Sequence, residues 1–310
     1  MSASKRENII QSIADSYIER ELFSGIEWIA EKSGKVVLSG KSGYQNFEKK
    51  TPIPTSAIYR IYSMTKPITS VMALKLIEEG KLRLYDLVSS FIPSFENLKV
   101  MNPDGSTEDL ERPIIIEDLL THRSGLTYDF LPGCHVAPLY SEKDISDDGS
   151  VNLEEKCESL SRLPLAYQPG SRFNYSVSID VLARIIEVIS EKDFEEILKE
   201  EIFEPLDMKD TGFSVKEKNL PRLMSTYGAS NFKEIMNIGP HNLKETNVNQ
   251  HNPYLKGDHF RRGGTGLFST ISDYLSFGRM LLTGKSKSGK IILSRNMIKF
   301  MRVNRIPDTQ

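Results

Sequence analysis

Between the proline-rich link Thr51-Pro52-Ile53-Pro54 and Gly80, the chain holds a helical pattern that demands burial. Met64, Ile68, Val71, Met72 and Leu76 recur at three-and-four spacing, which predicts a helix over Ser63–Glu79. Gly80 stands where a left-handed residue would end it. A stripe of that length needs a core against it, so the start of this helix lies near the interior. Two polar residues sit at that start, in the stretch IYSMTKPI: Ser63 and Lys66. Three residues apart, they share one helix face. The helix dipole and its unpaired N–H groups lie close by. Pro67 fits there, because a missing N–H costs least in the first turn.

Spacing alone admits two readings of this pair. In one, Ser63 is a nucleophile and Lys66 its base. A lysine takes a proton only as the neutral amine. With a reference pKa near 10.4, it does so only where burial or a positive field disfavours its charge. In the other, Ser63 caps the helix and Lys66 is solvated; the same spacing also occurs at Ser2–Lys5, near the chain end. Tyr175 follows the Pro169-Gly170 turn and precedes a helix with the stripe Val181, Leu182, Ile185, Ile186 and Ile189. Its phenol is either a proton-transfer group or a boundary aromatic with a wet hydroxyl. His122, in LLTHRSGL, is either a base or, as favoured, a ring bonded to loop backbone. Gly263, Gly264 and Gly266 allow close approach of backbone to backbone or to a ligand. Gly264 and Gly266 are candidate pocket residues, and Tyr128 with the 129–150 loop is a candidate pocket mouth.

Other classes lose ground on composition. The 310 residues carry 40 Lys+Arg against 42 Asp+Glu. That balance supplies no basic excess for phosphates, so no nucleic-acid partner is expected. No apolar run reaches the roughly 18 residues of a membrane span, and the N-terminus has no apolar signal region. Cys134 and Cys157, the only cysteines, read as reduced thiols in a cytoplasmic protein. The N-terminal segment reads as an amphipathic helix with Ile9, Ile10, Ile13 and Ile18 inward. Ile26–Ala30 and Val36–Gly40 flank Ser33-Gly34 as a hairpin, and almost no other strand is visible. A further helix is predicted over about Ser272–Leu282. There is no G-x-S-x-G elbow. GRMLLTGKS misses the P-loop spacing by one residue between Gly278 and Gly284. The histidines (122, 135, 241, 251, 259) form no i,i+4 pair and there is no C-x-x-C, so no metal is expected.

Taken in order, five stretches resemble one family. They are YRIYSMTKPITSVMALKLIEEGKLRLYDLVSSFIP, IEDLLTHRSGLTY, PLAYQPGSRFNYSVSIDVLARIIEVIS, IFEPLDMKDTGF and GGTGLFSTISDYLSFGRMLL. The chain resembles serine hydrolases of the class C β-lactamase superfamily, nearest the family VIII carboxylesterase branch. The resemblance implies Ser63 as acylated nucleophile, Lys66 as its base or proton shuttle, and Tyr175 as second proton-transfer group. It makes the Ser63 N–H an oxyanion donor and implies no cofactor. In the lactamases of this class the tyrosine motif is Tyr-x-Asn, whose amide holds the antibiotic. Here it reads Tyr175-Ser176-Val177. Val177, on the substrate side in this reading, cannot hydrogen-bond, which favours a small ester over a lactam. A β-lactamase, a D-amino-acid peptidase and a silent fold are the rivals.

The implied fold is α+β and β-lactamase/transpeptidase-like. An antiparallel sheet flanked by helices uses residues 1–60 and 265–310; a helical lobe spans 61–264 and carries the Ser-x-x-Lys and Tyr motifs. The family also carries a third motif on a strand after Gly264–Leu267, and Gln310 comes before it. The expectation is therefore an incomplete oxyanion hole and a sheet that lacks its C-terminal strands.

Overall fold

Ser33 and Gly34 both take positive φ, 53° and 77°. That is the geometry of a two-residue turn whose twist matches its strands. It joins Gly25–Lys32 (β1) to Lys35–Asn46 (β2) in antiparallel register, with Gly25 opposite Gly43 and Lys32 opposite Lys35. Thr51–Pro52 (β3) pairs with the other edge of β2. The computed structural model describes residues 3–143, 145, 150–228, 243, 245 and 261–306. His241, His251, His259 and part of the 129–150 loop lie outside the described residues.

Ala3–Glu19 (α1) covers β2, with Ile18 inward as expected but not Ile9 or Ile13. Ile9 and Ile13 are exposed, at 42% and 53%. Beside Ile18, the inward face is made of Gln11, Ala14 and Asp15: Ala14 is buried, Gln11 reaches the Lys41 carbonyl (3.4 Å) and Asp15 accepts from Ser42 Oγ (2.5 Å). Ile18 packs over Gly43, where a Cβ would fall 2.7 Å from its Cδ1. The missing side chain at Gly43 selects this face.

Strands that periodicity did not reveal prove decisive for the site. Ile58–Arg60 (β4) pairs antiparallel with Phe268–Thr270 (β7), Ile58 opposite Thr270. Each has three residues, too few to display alternation. A second pair, Lys99–Met101 (β5) and Thr107–Asp109 (β6), brackets the Asn102-Pro103-Asp104-Gly105 turn.

Among the described residues, the α-helices after α1 are Thr65–Glu78 (α2), Ile116–Leu120 (α3), Ala137–Glu142 (α4), Leu153–Ser161 (α5), Ser178–Ser190 (α6), Phe194–Leu198 (α7), Ile271–Thr283 (α8) and Arg295–Phe300 (α9). The core gathers on α6, against which α2, α3, α5 and α7 pack. Val181, Leu182, Ile185 and Ile186 meet Val71, Leu119 and Leu160, all wholly buried. Removing that much apolar surface from water dominates the folding energy. Gly80 (φ 74°) follows α2 as expected. Gly278 lies inside α8 and Gly284 (φ 76°) caps it, which accounts for the near-miss to a P-loop. α8 lies against β1, tied by the Arg279–Glu31 ion pair. Cys134 and Cys157 are free and buried.

Candidate active site

β4 ends beside β7, where the Ile61 N–H donates to the Leu267 carbonyl (3.0 Å). The chain then passes through Tyr62 at φ 42° into a single 3₁₀ turn, Tyr62–Met64. A tyrosine in the left-handed region is strained, and the turn is held on both sides. The Leu267 N–H donates to Thr65 Oγ1 (3.3 Å), and the Tyr274 hydroxyl on α8 donates to the Met64 carbonyl (2.9 Å). The α-helix starts at Thr65 rather than at Ser63. Ser63 therefore stands exposed on the tight turn before it, and Lys66 lies buried in the first helical turn.

Three functional groups meet here. Lys66 Nζ donates to Ser63 Oγ (3.1 Å) and to the Gly264 carbonyl (2.7 Å). The Tyr175 hydroxyl donates to the same Ser63 oxygen (2.7 Å). Lys66 Nζ also lies 4.7 Å from the centre of the Tyr175 ring. Serine, amine and phenol thus form one hydrogen-bonded set through which a proton can pass.

Tyr175 owes its position to two segments zipped together. The Gly170 N–H donates to the Arg123 carbonyl (2.7 Å) and the Asn174 N–H to the His122 carbonyl (2.8 Å). Asn174 Nδ2 donates to the Leu126 carbonyl (2.8 Å), and the Ser176 N–H to His122 Nδ1 (3.2 Å). His122 thus bonds loop backbone, the duller of its two readings, and its ring sits 4.9 Å from that of Tyr175. Burial first, and then the nearby Lys66, push its pKa down to about 4, so it is the neutral ring that accepts the Ser176 N–H.

Of the four other candidate residues, Tyr128 and Val177 sit elsewhere than expected, while Gly264 borders Lys66. Tyr128 is buried behind Tyr175, between that ring (5.2 Å) and Phe130 (4.7 Å), so it forms an inner wall and not a mouth. Burial, then Asp180, raises its phenol well above the ordinary value. Val177, expected on the substrate side, is wholly buried in the core at the start of α6. Gly264 and Gly266 are buried as well. Gly264 gives its carbonyl to Lys66 and its N–H to Asp180 Oδ1 (2.6 Å), so its backbone serves side chains of the protein. Gly266 takes φ 106°, which favours glycine. An apolar groove of about 950 Å³ runs past the Ser63 turn, lined by Trp28, Ile61, Tyr62, Met64 and Tyr274.

Sequence reasoning missed Thr69, Lys156 and Asp180, all buried beneath Lys66 and Gly264. One signal was present. Lys156 interrupts the stripe Leu153, Cys157, Leu160, and Asp180 interrupts Val177, Val181, Ile185, in each case a charge at an apolar position.

An α+β fold that brings serine, lysine and tyrosine together at a helix start is that of the β-lactamase/transpeptidase-like serine hydrolases. The chain belongs to the Beta-lactamase family, which matches it over residues 10–306. Protein Rv1367c of Mycobacterium tuberculosis (strain ATCC 25618 / H37Rv) is 32% identical over 295 residues, 93% of this chain and 70% of that protein. Esterase EstB of Burkholderia gladioli is 29% identical over 207 residues, 66% of this chain and 50% of EstB. Among solved structures, EstCE1, described as a hydrolase with promiscuous acyltransferase activity, superposes with a TM-score of 0.76 at 26% identity. That match covers 96% of this chain and 75% of EstCE1. The family is hydrolytic, with esterase, acyltransferase and amidase neighbours. No helix among the described residues is long and apolar enough to cross a membrane.

Proposed function

We propose that the protein is a serine carboxylesterase that hydrolyses small esters through an acyl-Ser63 intermediate, without metal or organic cofactor. The observation that carries this reading is the convergence of Lys66 Nζ (3.1 Å) and Tyr175 Oη (2.7 Å) on one serine oxygen. Ser63 Oγ attacks the ester carbonyl, and its proton passes to the Lys66–Tyr175 pair. The Ser63 N–H stabilises the oxyanion, a kind of donor whose removal typically costs roughly 3 kcal/mol. The tetrahedral species collapses, the alkoxide leaves, and the pair returns the proton to it. Water then attacks the acyl carbonyl, gives a proton to the same pair, and Ser63 departs and recovers it. Preference for esters over lactams is supported by the likeness to EstB.

The test is a fluorophosphonate probe with peptide mass spectrometry, beside p-nitrophenyl butyrate and nitrocefin assays. Ser63 is labelled, and Ser63→Ala loses the label and about a thousandfold or more of ester turnover. Folded protein that takes no label would overturn the hydrolase reading. Turnover of nitrocefin alone would overturn the ester preference.

A further inference from the structure

Beneath the site lies a charged pair that stability alone does not explain. Lys156 on α5 and Asp180 on α6 have side chains only 2% exposed and meet at 2.9 Å. A third charge, Arg262, is wholly buried nearby, with Nη2 donating to the Val151 carbonyl (2.9 Å). Burying charges costs about as much as their attraction returns, and apolar side chains of similar size often stabilise as well. A use other than stability is called for, and the hydrogen bonds indicate one.

The two oxygens of Asp180 work on different partners. Oδ2 takes Lys156, while Oδ1 takes the Gly264 N–H (2.6 Å). The carbonyl of the same peptide unit, that of Gly263, accepts from Thr69 Oγ1 on α2 (2.7 Å). This peptide is therefore pinned from both faces, by α2 and by α6. The next carbonyl along, Gly264, is the one that holds Lys66 Nζ (2.7 Å). The packing leaves no slack: a Cβ on Gly264 would lie 3.0 Å from Asp180 Oδ1 and 3.4 Å from Lys66 Nζ. Burial alone would raise the Asp180 carboxyl, but Lys156, Arg262 and the Gly264 N–H outweigh it and hold it ionised.

We propose that Asp180, braced by Lys156, is a positioning residue that seats Lys66 against Ser63 through the Gly263–Gly264 backbone, an inference that rests on the hydrolase reading above. A displaced base slows the chemistry without loosening substrate, because small misplacements of a reacting group are costly, up to about a hundredfold for 1 Å.

The experiment has one readout that does not depend on turnover. Reductive methylation followed by peptide mass spectrometry measures how well Lys66 is shielded, with Lys81, 59% exposed, as internal standard. In Asp180→Ala/Lys156→Ala, Lys66 methylates several-fold faster while Lys81 is unchanged. The kcat for p-nitrophenyl butyrate falls about tenfold or more with KM held within about threefold. Asp180→Asn/Lys156→Gln keeps the hydrogen bonds, drops the charges and stays within about threefold of the parent in both readouts. If the alanine pair fails to fold, Thr69→Val removes the opposite pin and carries the same prediction in smaller measure. Unchanged Lys66 shielding and unchanged kcat in these variants would overturn the proposal. So would an asparagine–glutamine pair as impaired as the alanine pair. A parent that turns over no ester overturns the ester reading instead, and the methylation result still decides the role of Asp180.

Discussion

A Cβ built on Gly263 falls 2.1 Å from the Ile179 carbonyl oxygen and 2.7 Å from Ala183 Cβ, both on α6. Neither is the end of a flexible side chain, so helix and loop would have to part. On Gly278, within α8, the same atom meets nothing within 4 Å. Gly263→Ala is therefore expected to lower stability by about 3 kcal/mol. Gly278→Ala is expected to raise it by about 0.5–1 kcal/mol, the usual gain of alanine over glycine inside a helix. Urea unfolding of the two variants measures both, and a pair of shifts with the same sign would contradict this packing. The sequence made the glycine cluster visible but not its purpose, since a glycine that admits a ligand and one that admits a helix look alike in a string. The same limit held at Val177. Its apolar nature was legible, but its place in the core followed from where α6 begins.

The loop brace at His122 is an element-scale feature, and it titrates. The pKa of His122 in the fold is about 4, against an ordinary 6.5. Between those values the unfolded chain binds a proton that the fold refuses. The stabilisation is thus complete above about pH 6.5, declines as pH falls, and levels off below about 4, with a total near 3 kcal/mol. Most of it, about 2 kcal/mol, is lost by pH 5. His122→Gln keeps an acceptor for the Ser176 N–H and removes the titration. Urea midpoints at pH 7.5 and pH 5 are expected to fall further in the parent than in the variant by that amount; equal falls would remove His122 as the cause. Among the elements, α2, α6, α8 and the β1–β2 hairpin were legible, because each carries a full period of apolar residues or a turn with two positive φ values. β4 and β7 were not. They are three residues long, and Ile58 and Phe268 are buried at 2% and 0%, so tertiary pairing defines them rather than any local pattern.

At the scale of the molecule, the site is assembled from distant parts of the chain. Tyr175 lies 112 residues from Ser63, and the Gly264 carbonyl lies 198 from Lys66. No spacing rule reaches across such gaps, which is why the convergence was legible only through resemblance in the order of motifs. The same separations bear on folding. Closing long loops costs entropy before any contact offsets it, so non-local pairings form slowly compared with helices. The helical core around α6 can collapse on nearer contacts, whereas Ser63 is aligned only after β4 has found β7 and Gly264 has docked on Asp180. Chains of this size commonly pass through such partly packed states. Refolding from urea is therefore expected to restore far-ultraviolet circular dichroism before it restores fluorophosphonate labelling of Ser63 in timed samples. Gly263→Ala, which hinders docking of the glycine loop on α6, should slow the second phase more than the first. A single shared rate for both signals would mean that strand pairing and helix formation are one event, and that the site is built with the core rather than after it.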